Sequence, residues 1–83
     1  MNNFSPTPEP EAAWTAIGSR LRQLRKTGGW TALSVAADVH LHYSRLSRIE
    51  RGRMLPRKSE LVALLDRLEA DSKTSKDLLD LFE

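Results

Sequence analysis

The sequence contains no cysteine. Disulfides, thiolate metal ligands and cysteine nucleophiles are therefore excluded together. No apolar run approaches the roughly 18 residues of a membrane span. The start of the chain has neither the basic residues nor the apolar stretch of a secretory signal. A cytoplasmic protein with no membrane partner is expected. No stretch alternates in Val, Ile and Thr as strands do, so no strand is predicted. Aromatic residues are few, and Trp14 and Trp30 lack the spacing of a base-stacking platform, which makes them packing residues of the core or its rim. The 83 residues allow one domain with one small core. They leave little material for the walls of a catalytic pocket. Ser44, Ser47, His40 and His42 compose no triad, and no glycine-rich phosphate loop is present. His40 and His42 lack a third ligand for a metal. No enzymatic activity, cofactor, metal or small-molecule ligand is expected.

What the chain does have is an uneven charge. Its net charge is only +2. Yet residues 20–58 carry ten basic side chains against Asp38 and Glu50, a net +8. The remainder carries Arg67, Lys73 and Lys76 against nine acids, a net −6. A basic middle between acidic ends suits a polyanionic partner; the plainer alternative is a solvated surface with chance clustering.

Along the chain, residues 1–12 carry Pro6, Pro8 and Pro10 and read as a flexible arm. Pro10 and Glu11 also suit the first turn of a helix. Residues 13–83 form the predicted domain. Ile17, Leu21 and Leu24 fall on one helical face within residues 14–26, and Gly28-Gly29 ends that helix. Thr31 caps a short second helix over residues 32–38, where Leu33, Ala36 and Ala37 are compact enough for close packing. After a break near His40, a third helix spans residues 43–51 with Leu46 and Ile49 inward, and Gly52 closes it. A fourth runs from Arg57 or Lys58 to Leu68. Residues 70–74 read as a polar linker. Thr74, with Asp77 three residues on, resembles a capping box, opening a last helix over residues 75–82. The fold class is thus all-α, a compact bundle of about five short helices.

The second and third helices are spaced as a helix-turn-helix over residues 31–52. Ala36 is the small residue at the crossing and Leu41 the apolar plug in the turn. The third helix presents donors outward: Ser44, Arg45, Ser47, Arg48 and Arg51.

Several runs carry a resemblance. They are Ile17-Gly18-Ser19-Arg20-Leu21-Arg22-Gln23-Leu24-Arg25, then Gly29-Trp30-Thr31, Val35-Ala36, and Leu46-Ser47-Arg48-Ile49-Glu50-Arg51-Gly52 followed by Pro56. Through them the chain resembles the lambda-repressor-like, Xre-type helix-turn-helix regulators of bacteria and phages, without a gap from Ile17 to about Leu68. The resemblance implies a sequence-specific transcriptional regulator on double-stranded DNA. Its third helix would enter the major groove, and a dimer would bind a palindromic operator. It places Tyr43, Ser44 and Arg48 on bases, and Thr31, His42, Arg45, Arg51 and Arg53 on phosphates. An Arg48 guanidinium can bridge O6 and N7 of guanine; the alternative is a phosphate or solvent contact. Tyr43 either packs on a thymine methyl or covers the helix start. Glu50, an acid at the negative end of its helix, is implied to pair with Arg25 of the first helix.

The chain also departs from the family. His40 stands where Gly is frequent in the turn, and His42 where Ser or Thr caps the third helix. Ala32 replaces a frequent Gln that touches phosphate, and Arg57 replaces the usual cap of the fourth helix. Leu78, Leu81 and Phe82 of the last helix either form a dimer surface or close the monomer's own core. The competing function is a protein-interaction module on the same fold, an antitoxin or an adaptor, against which the basic window argues.

Overall fold

The computed structural model describes residues 10–82. They form five helices: α1 (Pro10–Gly28), α2 (Ala32–Asp38), α3 (Tyr43–Glu50), α4 (Lys58–Arg67) and α5 (Ser72–Phe82). No strand occurs among the described residues. The predicted arm falls outside the described residues up to residue 9. Its last three positions are helical instead, because Pro10 has no amide proton to lose in a first turn and its fixed φ suits a helix.

The core is one cluster to which every helix contributes. Ile17 and Leu21 come from α1, Val35 and Ala36 from α2, and Leu46 and Ile49 from α3. Leu61, Leu64 and Leu65 of α4, Leu68 at its end and Leu78 of α5 complete it. Each fully buried Leu or Ile contributes about 1.5–3 kcal/mol, which is how such short helices hold. The expected packing of α2 through Leu33 and Ala37 is corrected: Leu33 is 66% exposed and Ala37 is exposed. Two turns of helix offer only a narrow stripe, and Val35, Ala36 and the partly buried Ala32 and Val39 occupy it.

The start of α5 is also corrected. Asp71, not Thr74, is the cap: its carboxylate accepts from the Thr74 amide at 2.7 Å. That bond, then the Thr74 hydroxyl, holds the Asp71 carboxyl below the usual carboxylate range. Thr74 is buried inside the first turn and accepts from Arg20 Nη2 of α1 at 3.3 Å. Asp77 pairs instead with Lys73, one turn back, at 3.1 Å. Of the two alternatives for α5, Leu78 is buried in the core and Leu79 and Phe82 pack against it, while Leu81 stays 44% exposed.

Four helix ends share one geometry. After α1, α2, α3 and α4 the chain turns left-handed at Gly29, His40, Gly52 and Glu69. At α2 the His40 amide donates to the Ala37 carbonyl and Leu41 to that of Ala36. These two bonds satisfy carbonyls the helix leaves unpaired. They also turn Leu41 back towards the core as the plug of the helix-turn-helix. His40 adopts φ 60°, where a Cβ costs roughly 1–2 kcal/mol and Gly none of that. His40 is exposed, so His40→Gly loses little contact. Less the roughly 0.5–1 kcal/mol of extra chain entropy that a glycine loses on folding, about 1 kcal/mol remains, and the melting temperature is expected to rise by about 4–8 °C, measured by circular dichroism; a fall would show that the imidazole supports the turn.

Candidate nucleic-acid interface

The candidate interface is formed by α2, the turn and α3. Thr31 caps α2, its Oγ accepting from the Ser34 amide at 3.1 Å. The hydroxyl proton remains for an acceptor outside the protein, and the residue is exposed. His42 occupies the cap position of α3 but makes no side-chain cap bond. Its Nδ1 lies 3.3 Å from Ser44 Oγ, and both residues are exposed.

At 3.6 residues per turn α3 divides into sectors. Leu46, Ile49 and Glu50 face inward and are buried. Ser44, Arg48 and Arg51 lie on the opposite, exposed arc. Tyr43 and Ser47 lie on the flank towards α1, lining a concavity with Arg22, and Tyr43 is half exposed. Arg45 lies on the other flank, towards α4. Among the described residues Arg48, Arg51 and Arg53 have no ion-pair partner. Tyr43, Ser44, Arg48 and Arg51 thus share one surface, with Arg53 just past its end.

Two bidentate ion pairs fix the roll of α3. Arg25 Nε and Nη2 donate to the two Glu50 oxygens at 2.7 and 3.0 Å. Arg25 Nη1 donates to the Trp30 carbonyl at 3.0 Å. The Glu50 bond, opposed by burial, pushes the Arg25 pKa up. On the other flank, Arg45 Nε and Nη2 donate to Glu60 at 2.9 and 2.8 Å, and Nη1 reaches Met54 Sδ at 3.1 Å. Glu60 accepts from the Arg57 amide too, at 2.8 Å, capping α4 where the Arg57 side chain does not. The Arg45 bonds are the main cause that holds the Glu60 carboxyl below the usual carboxylate range. The charge of Arg45, expected to face phosphate, is therefore matched within the protein. Glu60 was not anticipated, although a Glu three residues after a helix cap was a signal for it.

A third tie holds α2 to α4. Arg67 Nε donates to Asp38 at 2.7 Å, and its guanidinium lies 4.8 Å from the centre of the Trp30 ring. Trp30 lies on Gly28, in the space a Cβ there would fill.

Among the described residues no group of three His, Asp or Glu side chains is placed to hold a metal ion. No described helix is long and apolar enough to cross a membrane.

Two short helices around a plugged turn, the second with a polar and cationic outer face, define a helix-turn-helix domain. The chain belongs to the helix-turn-helix family of DNA-binding domains, whose model matches residues 16–79. No curated protein and no solved structure matches the chain.

Proposed function

We propose that the protein is a sequence-specific transcriptional regulator of the lambda-repressor-like, Xre type, from a bacterium or phage. It acts in the cytoplasm, on nucleoid DNA. It reads the major groove with α3 as a dimer on a palindromic operator, two half-sites one helical turn apart. A module this small makes few contacts, so a second copy supplies affinity and site length. The exposed Leu81 of α5 is the residue we assign to the dimer surface.

The observation that carries this reading is the exposed arc of α3. It places Ser44, Arg48 and Arg51 together, with both arginines unpaired among the described residues, on a helix clamped at both flanks. A reader of sequence needs donors that are available and a helix that does not roll. Tyr43, Ser44 and Arg48 take the bases, and Arg48 selects guanine in each half-site. Thr31, His42, Arg51 and Arg53 meet phosphates. Arg45 keeps its place beside the backbone but, matched by Glu60, acts chiefly to position α3.

The test is anisotropy with a fluorescent random duplex across a salt series, followed by operator selection. The slope of log K against log salt should reach several units. Arg48→Ala should weaken the selected operator by roughly 5- to 150-fold, the effect of about 1–3 kcal/mol, and relax one base position. Random-duplex binding should change far less. No binding at low salt would overturn the proposal in favour of a protein-interaction module.

A further inference from the structure

A concavity of about 590 Å³ opens on the α1 side of α3. The floor is the Arg25–Glu50 pair, whose charges cancel. Around it stand Arg22 of α1, Arg51 at the end of α3 and Arg53 in the loop beyond. All three are exposed, and among the described residues none has an ion-pair partner. Three like charges around one cleft repel one another and concentrate an anion there.

The chemistry of that anion follows from the walls. Guanidinium forks match phosphate oxygens. Ala32 is a single methyl at the start of α2, so the mouth between α1 and α2 stays open. Apart from the arginine stems, that methyl and the Tyr43 ring are the apolar parts of the lining, whereas pockets for small organic ligands are mostly apolar. The cleft shares Tyr43, Ser47 and Arg51 with the recognition helix, so a duplex read by α3 carries its backbone past this opening. From these features we infer that Arg22 of α1 contacts a backbone phosphate of the bound duplex, seated in the cleft with Arg51 and Arg53. The inference rests on the DNA-binding proposal above and adds α1 as a third wall of the interface.

The experiment is the same salt series on a random duplex, with wild type, Arg22→Ala and Arg20→Ala. Arg20 loses the same charge from the same helix, but on the α5 side, where it bonds Thr74. Lys76→Ala, exposed on α5 and paired there with Asp80 at 3.1 Å, is a second charge control. Arg22→Ala should lower the salt slope by about 0.9 and weaken binding about fivefold at 0.15 M salt. It should do so equally for operator and random duplex, with an unchanged melting temperature. The controls should leave the slope near the wild-type value. Equal losses in all three variants would mean only net charge matters, and an unchanged slope in Arg22→Ala would remove the contact; either overturns the inference while the DNA-binding proposal stands. A wild type with no salt-dependent binding takes down both.

Discussion

Glu50→Ala is expected to destabilise the domain by about 3–5 kcal/mol. The Arg25 and Glu50 side chains are only 13% and 7% exposed, so the truncation leaves a largely buried guanidinium with its carboxylate gone and, among the described residues, only the Trp30 carbonyl to accept from it. The loss is large against the ~0.05–0.15 kcal/mol per residue typical of native domains, so part of the population should be unfolded at room temperature. Urea unfolding followed by circular dichroism reads this directly. Arg25→Met with Glu50→Leu should recover much of the loss, because two apolar side chains leave no unpaired charge. If Glu50→Ala lost under about 1 kcal/mol, the pair would be behaving as a solvated surface contact. Stability is the proper readout here. Removing an acid beside the basic face also raises general affinity for DNA and would mask a structural defect in a binding assay.

Gly18→Ala is the second large effect, and it runs against helix propensity, which favours Ala over Gly by about 1 kcal/mol in a helix interior. α1 crosses the end of α3 at this residue. A Cβ there would collide with the Ile49 carbonyl oxygen and stand 2.9 Å from that of Glu50. Overfilling a packed site costs about 1–3 kcal/mol. Here the obstructing atoms are main chain and cannot swing aside. We expect a net loss of about 2 kcal/mol and a melting temperature lower by about 8–16 °C. Operator affinity should fall further than stability alone implies, since relief of the clash tilts the recognition helix. Ser19→Ala, exposed on the same turn, should change neither. A Gly18→Ala protein as stable as wild type would mean that the two helices can separate at no penalty.

The helices were legible because their signals are local. Ile17 and Leu21, or Leu61, Leu64, Leu65 and Leu68, repeat at helical spacing, and Gly29 and Gly52 mark two ends. Where the answer depended on neighbouring helices, the local signal misled. The sequence points to Thr74 as the cap with Asp71 in the linker before it, and Asp71 caps instead because α1 covers Thr74 and supplies Arg20 to its hydroxyl. Leu33 looks like a core residue in isolation, and only the crossing of α2 with its neighbours turns it outward. Arg45 and Arg48 both read in the sequence as outward donors toward DNA; the position of α4 gives one a carboxylate and leaves the other unpaired among the described residues.

The sequence by itself determined the helical class, the helix-turn-helix spacing and the basic window, because periodicity, turn chemistry and charge are properties of neighbouring residues. Only the tertiary structure decided which charges cancel. The resemblance implies Arg25 with Glu50, but Arg45 with Glu60, 15 residues apart in the chain, comes only with the placement of α4, and that pairing selects the cations left to face an anion. It also fixed the need for glycine at position 18, which comes from the carbonyls of another helix and leaves no trace in the residues around it.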